Sequence, residues 1–138
     1  MKNGFVSGMA VVVMLLLVAG SALAHHSPVQ FDRTKRVTLT GTVKEFLWTN
    51  PHASIQLSVP NAKGVPETWG VEMNSPNNLV KQGWKSNLLK FGDKVSVVVN
   101  PLRTGEHGGI FVSIKLADGR VLGDKWTEDI ESKGVVGK

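Results

Sequence analysis

The chain has 138 residues, a formal charge of +5 and no cysteine, which excludes disulfides, thiolate metal sites and cysteine nucleophiles. Its 16 Lys and Arg and 11 Asp and Glu are scattered, with no block of like charges to mark a polyanion-binding tail. Three of the four methionines fall in the first 14 residues, and Met73 alone follows, so a thioether-rich Cu(I) site is excluded as well.

Lys2 opens a short basic start, residues 5–18 form an almost uninterrupted apolar run, and Ala22-Leu23-Ala24 presents small residues where a signal peptidase reads. This pattern predicts a cleavable signal peptide over residues 1–24 and a periplasmic or secreted protein. The apolar run is shorter than the ~20 residues that cross a bilayer, and nothing later in the chain matches it, so no membrane span is expected after processing. Cleavage after Ala24 would make His25 the first residue, with His26 and Ser27 behind it. A free α-amine and two imidazoles would then sit on consecutive residues, a ready chelate for a metal ion. The plainer alternative is a polar, disordered start beside a cleavage site. Residues 25–36 are read as an N-terminal arm.

Residues 37–48 (VTLTGTVKEFLW) are β-branched and aromatic, and Val37, Leu39, Gly41, Val43 and Leu47 fall on one side at period two, which predicts a long first strand. Gly41 in mid-strand points to a bulge or coil that lets one strand serve two halves of a curved sheet. Asn50-Pro51 signals a turn, because proline fixes φ and disfavours helix in the residue before it. Residues 53–59 alternate apolar and polar as a second strand, 60–66 form a loop, and 67–73 return as a third strand. Ser75-Pro76 predicts a helix start, with Ser75 as N-cap and Gly83 placed to stop a short helix over 77–82. A fourth strand with Val95, Val97 and Val99 on one face follows the Gly92-Asp93 turn, a charged glycine-containing loop spans 101–109, and a fifth strand covers 110–116. Asp118-Gly119 makes a tight turn into Arg120-Val121-Leu122.

Three strands, a short helix and two further strands is the order of the five-stranded OB barrel. The expected fold is therefore all-β with one short helix, an OB-like barrel over 37–122, with residues 123–138 as a C-terminal tail that frays from Thr127. Val43, Ile55, Leu57, Val71, Val95, Val97, Val99, Val112 and Ile114 are the expected core, joined by Trp69.

The histidines carry the candidate chemistry. An α-amine with a pKa of about 7.7 and an imidazole near 6.5 both lose their protons close to neutrality, so His25 and His26 are available nitrogen donors. A nitrogen-only set favours Cu(II) over Zn(II). His52 and His107 are the other two imidazoles. They fall in the loops between strands 1 and 2 and strands 4 and 5, which border the usual ligand face of OB barrels, so a site drawing on both is expected there, with Trp48 and Asn50 on the ligand face. The ordinary alternatives are a turn-capping histidine at 52 and a solvated loop histidine at 107. No nucleophile elbow, metalloprotease helix or phosphate-binding glycine loop occurs, and nothing supplies a substrate groove for an enzyme.

Ala24-His25-His26-Ser27, Phe31-Asp32, the VTLTGTV strand, Trp48-Thr49-Asn50-Pro51-His52, Asn74-Ser75-Pro76-Asn77, Gly83-Trp84, Gly92-Asp93 and Leu116-Ala117-Asp118-Gly119-Arg120 together resemble a family of exported bacterial proteins of unknown function. The resemblance implies a secreted or periplasmic single domain with Asn50-Pro51-His52 as its hallmark and carries over no activity. The leading expectation is a non-catalytic periplasmic protein binding a divalent metal, Cu(II) first, through His25, His26, His52 and His107. Its rival is an adaptor or small-ligand barrel with an apolar contact face around Trp48, whose partner would be a small molecule or another periplasmic protein. Nucleic acid ranks third, since export and the lack of an aromatic-basic strand face weigh against it.

Overall fold

The computed structural model describes residues 30–123. The expected signal peptide, His25, His26 and all but the first residue of the expected tail lie outside them. The strands are β1 (Val37–Leu47), β2 (Ser54–Pro60), β3 (Pro66–Glu72), β4 (Lys94–Pro101), β5 (Gly108–Lys115) and β6 (Val121–Gly123), with helix α1 (Pro76–Lys81) between β3 and β4. Antiparallel pairing runs β3-β2-β1-β4-β5-β6, and a parallel pairing of β3 with β5 closes the first five strands into a barrel. That closure, with a helix between the third and fourth strands, is the OB architecture expected from the element order.

β1 serves both halves of the barrel. Residues 37–42 pair with β4 and residues 42–47 with β2. Gly41 stands at the changeover, where a Cβ would overlap the Ser58 carbonyl oxygen of β2. The bulge expected there lies instead at Lys44, between the Val43 and Glu45 register positions. One extra residue reverses the side-chain alternation, so Phe46 packs against the core and Leu47 is exposed, the opposite of the simple period-two reading.

A second bulge reshapes β5. Val99 pairs with Phe111 and Val98 with Ser113, leaving Val112 as the extra residue. Phe111 therefore takes the core position expected of Val112, which is buried outside the main cluster. The bulge also divides the far edge of β5: residues 108–110 pair with β3 and residues 113–115 with β6.

The remaining expected core residues, Val43, Ile55, Leu57, Val71, Val95, Val97, Val99 and Ile114, fill the interior with Leu39, Met73, Leu79 and Trp84. Each buried aliphatic side chain contributes about 1.5–3 kcal/mol of transfer free energy, so this interior holds the barrel without cross-links. α1 seats Pro76 and Leu79 against one barrel end. Pro76 is at its start as expected, whereas Ser75 makes no side-chain cap, and the Ser75 carbonyl instead accepts from the Asn78 and Leu79 amides.

The arm is part of the fold. Phe31 is 5% exposed and forms an antiparallel bridge with Leu102. The Asp32 amide donates to the Pro101 carbonyl at 2.8 Å and the Arg103 amide to the Gln30 carbonyl at 2.9 Å. Buried Asn100 donates from Nδ2 to the Lys35 carbonyl at 2.8 Å.

Candidate functional site

The two described histidines sit at different ends of β3. His52, two residues ahead of β2, holds Glu72 Oε1 at 3.0 Å through Nδ1. The Ala53 amide donates to the Asn74 carbonyl and the Met73 amide to the Ala53 carbonyl, so this pairing lays the Asn50-Pro51-His52 turn against the Asn74-Ser75-Pro76 segment. The Asn50–Pro51 peptide bond is cis. Asn74 Oδ1 accepts from the Ser75 amide at 2.7 Å and from Asn78 Nδ2 at 2.9 Å, which joins both motifs to the first turn of α1. Asn50 is exposed. Trp48 is half-buried, its ring edge-on to Phe46 at 5.5 Å, and Phe46 leads on to Trp84 and Phe111 in the interior.

His107 is the last residue of the β4–β5 loop. Its ring stacks on Trp69 with centroids 4.9 Å apart and planes 16° from parallel, and Nε2 lies 3.5 Å from Glu67 Oε2. Asn61 Nδ2 donates to the other Glu67 oxygen at 2.9 Å, which fixes the carboxylate. Glu67 and Trp69 alternate with the outward residues of β3 and so point to the barrel mouth. Trp69, expected in the core, is the half-buried plug of that mouth, with His107 as its outer layer.

The structure therefore does not bring His52 and His107 together. Glu67 and Glu72 are five residues apart on one strand, roughly 17 Å at strand rise, and on opposite faces. The reason is the direction of closure. β5 runs parallel to β3 and begins opposite Gly70, so the His107 ring at its entry lies back over Trp69 toward Glu67, whereas the β1–β2 loop meets the β3 end. Among the described residues no group of three or more His, Asp or Glu stands close enough to hold a metal ion.

His107 and the N-terminal arm, by contrast, share one end. Leu102 bridges to Phe31 on one side and donates its amide to the Gly108 carbonyl on the other. Gln30 thus lies about two strand spacings, roughly 10 Å, from the His107–Gly108 backbone. Asp32 anchors the arm there. It accepts from the Thr34 hydroxyl at 2.6 Å and the Thr34 amide at 3.2 Å, with Lys35 at 3.4 Å and Arg103 at 4.0 Å. The Thr34 hydroxyl, followed by the Thr34 amide and these cations, holds the carboxyl below its ordinary value of 3.8. Asp32 is the carboxylate nearest to His25 and His26 in the sequence and so a candidate donor by residue type, but here its oxygens are engaged by Thr34, Lys35 and Arg103; Phe31 was not a candidate by residue type.

A family model, described as a family of unknown function (DUF6152), matches residues 12–112. The chain belongs to this family. No curated protein matches it in sequence. Two crystal structures of the mitochondrial single-stranded DNA binding protein Rim1 from S. cerevisiae resemble it in shape, with TM-scores of 0.46 and 0.45 and identities of 13% and 10%. Both alignments cover 60% of this chain, and 93% and 94% of theirs.

Proposed function

We propose that this family member is an exported metal-binding protein, in which a mature N-terminus beginning at His25 binds Cu(II) with the α-amine and the imidazoles of His25 and His26, joined by His107. The observation that carries the proposal is the docking of the arm along the β4–β5 loop, through the Gln30–Arg103 and Phe31–Leu102 contacts. His26 is four residues from Gln30, a contour of about 13 Å, against the roughly 10 Å that separates Gln30 from His107. His52, at the other end of β3, is left out of the ligand set. Glu67 beside His107 is suited to orient a ligating imidazole, as second-shell carboxylates do.

The rivals have less support. The outward residues of β2 and β3 are Ser54, Gln56, Ser58, Thr68, Gly70 and Glu72, with no aromatic ring on which a base could stack. The exposed large apolar side chains among the described residues, Leu47, Val65, Val80, Phe91 and Val121, sit on different elements, and Trp48 is folded onto Phe46, which weakens the apolar contact face of the adaptor reading. Among the described residues no helix is long and apolar enough to cross a membrane.

The test is a Cu(II) titration against a competing chelator, comparing protein that begins at His25 with protein carrying one extra residue, whose amide nitrogen replaces the amine. The chain beginning at His25 binds one Cu(II) far more tightly, quenches Trp69 fluorescence through the stacked His107, and loses affinity below about pH 6 as the α-amine and the N-terminal imidazoles protonate. His107→Ala weakens binding by roughly tenfold or more, the scale of losing even an outer-shell partner, while His52→Ala leaves it unchanged. Equal, weak binding by the two N-termini sinks the proposal.

A further inference from the structure

A groove of about 490 Å³, lined by neither histidine, opens on the outer side of the barrel where β1 changes partners. Its polar lining comes from four strands: Thr40, Thr42, Ser58, Lys94, Ser96 and Lys115. The pairing makes this lining contiguous. Thr42 faces both Ser58 and Lys94, Ser96 faces both Thr40 and Lys115, and the Thr40 and Ser96 hydroxyls are 3.1 Å apart. Lys94 is two positions from Ser96 on the same face, so the two lysines stem from diagonal positions of neighbouring strands, roughly 7–8 Å apart. Among the described residues neither ammonium has an ion-pair partner, and no carboxylate lines the groove. Two like charges at this spacing repel each other, and four hydroxyls between and beside them add donors that carry no charge of their own. Pro60 and Pro66, at the facing ends of the β2–β3 hairpin, add an apolar wall of fixed backbone. The volume is that of a small-ligand site.

We infer that this groove binds a small organic dianion, its paired negative oxygens between Lys94 and Lys115 and its apolar body against Pro60 and Pro66. The hydroxyls of Thr40 and Ser96 complete the anion's hydrogen bonds. A doubly charged headgroup relieves the repulsion between the two ammoniums, which a neutral ligand cannot do. Two chemistries present such a headgroup, a phosphate monoester and a vicinal dicarboxylate.

The experiment is a titration of the ¹⁵N-labelled chain beginning at His25 with phenyl phosphate, with phthalate and with neutral benzyl alcohol. Saturable amide shifts at residues 40–42 and 94–96 are expected with one or both dianions, and none with benzyl alcohol; which dianion binds more tightly names the headgroup. Replacing both groove lysines (K94Q with K115Q) weakens binding by roughly thirtyfold, the sum of two exposed charge pairs at the upper end of their range. The same charge removal at Lys81 and Lys85 on and after α1 leaves it within about twofold. Inorganic phosphate, tested alongside, binds more weakly than phenyl phosphate if the proline wall contributes. Absence of saturable shifts with either dianion, or an equal loss with K81Q and K85Q, overturns the inference. Because metal is absent throughout, the outcome is independent of the copper proposal.

Discussion

Gly41 shows how one missing side chain sets the course of a strand. β1 passes so close to the end of β2 that a Cβ at this position would run into the Ser58 carbonyl oxygen, and neither backbone can retreat without breaking the pairing of Thr42 with Ser58 and Lys94. Gly41→Ala is expected to cost about 1–3 kcal/mol, the range for overpacking a closed interior, read as a lower urea midpoint at unchanged slope; a neutral effect would mean that β1 does not cross here. Asp32 offers a residue whose contribution depends on pH. Its carboxyl titrates below 3.8 in the folded protein, chiefly through the Thr34 hydroxyl, so its stabilising effect is present above that value and is lost as pH falls through the depressed folded value. Asp32→Asn should therefore melt below the wild type at neutral pH by a margin that holds down to about pH 5 and closes as the carboxylate protonates. A margin that persists unchanged in strong acid would show that the charge is not what matters.

At the level of elements, the bulges decide which face of a strand is inside. β5 reads as a clean alternation from Ile110 to Leu116, and the expected core followed that row through Val112 and Ile114. The extra residue at Val112 shifts the phase, so the first half of the strand sends Phe111 inward and the second half Ile114. Two valines of the same size test this directly. Val99, fully enclosed in the main cluster, and Val112, buried outside it, lose the same atoms on truncation but leave different voids. Val99→Ala is expected to cost about 2 kcal/mol or more and Val112→Ala about 1 kcal/mol, measured by chemical denaturation. Equal costs would place both in one core and remove the bulge from its role. The same bulge lets β5 offer one stretch of its edge to β3 and the next to β6, so closure and extension of the sheet meet at one irregular residue.

On the scale of the whole molecule, the parallel closure of β3 on β5 distributes the candidate chemistry. It sends the β1–β2 loop, with His52 and Glu72, to one end of β3, and the β4–β5 loop, with His107, Glu67 and Trp69, to the other. The arm then docks beside the second of these. Much of the architecture was legible in the sequence. The period-two valines of β4, the Ser75-Pro76 helix start and the Asp118-Gly119 turn are local signals, set by side-chain alternation, proline's fixed φ and glycine's freedom at positive φ, which Gly119 uses at 88°. Three strands, a helix and two strands leave few ways to close a barrel, so the fold class followed from chain order. The site was legible only in part. Four histidines are written in the residues, and so is the loop that holds each described imidazole. Which histidines share an end was not, because that depends on the direction in which two strands far apart in sequence pair, and on one Phe31–Leu102 bridge that holds the arm. The bulges at Lys44 and Val112 were likewise hidden, since each is a response to curvature that exists only once the sheet closes on itself. The sequence by itself determined the elements, the barrel class and the chemical groups available; the tertiary structure alone decided their phase and their company, because register and closure are set by packing across the barrel and not by neighbours along the chain.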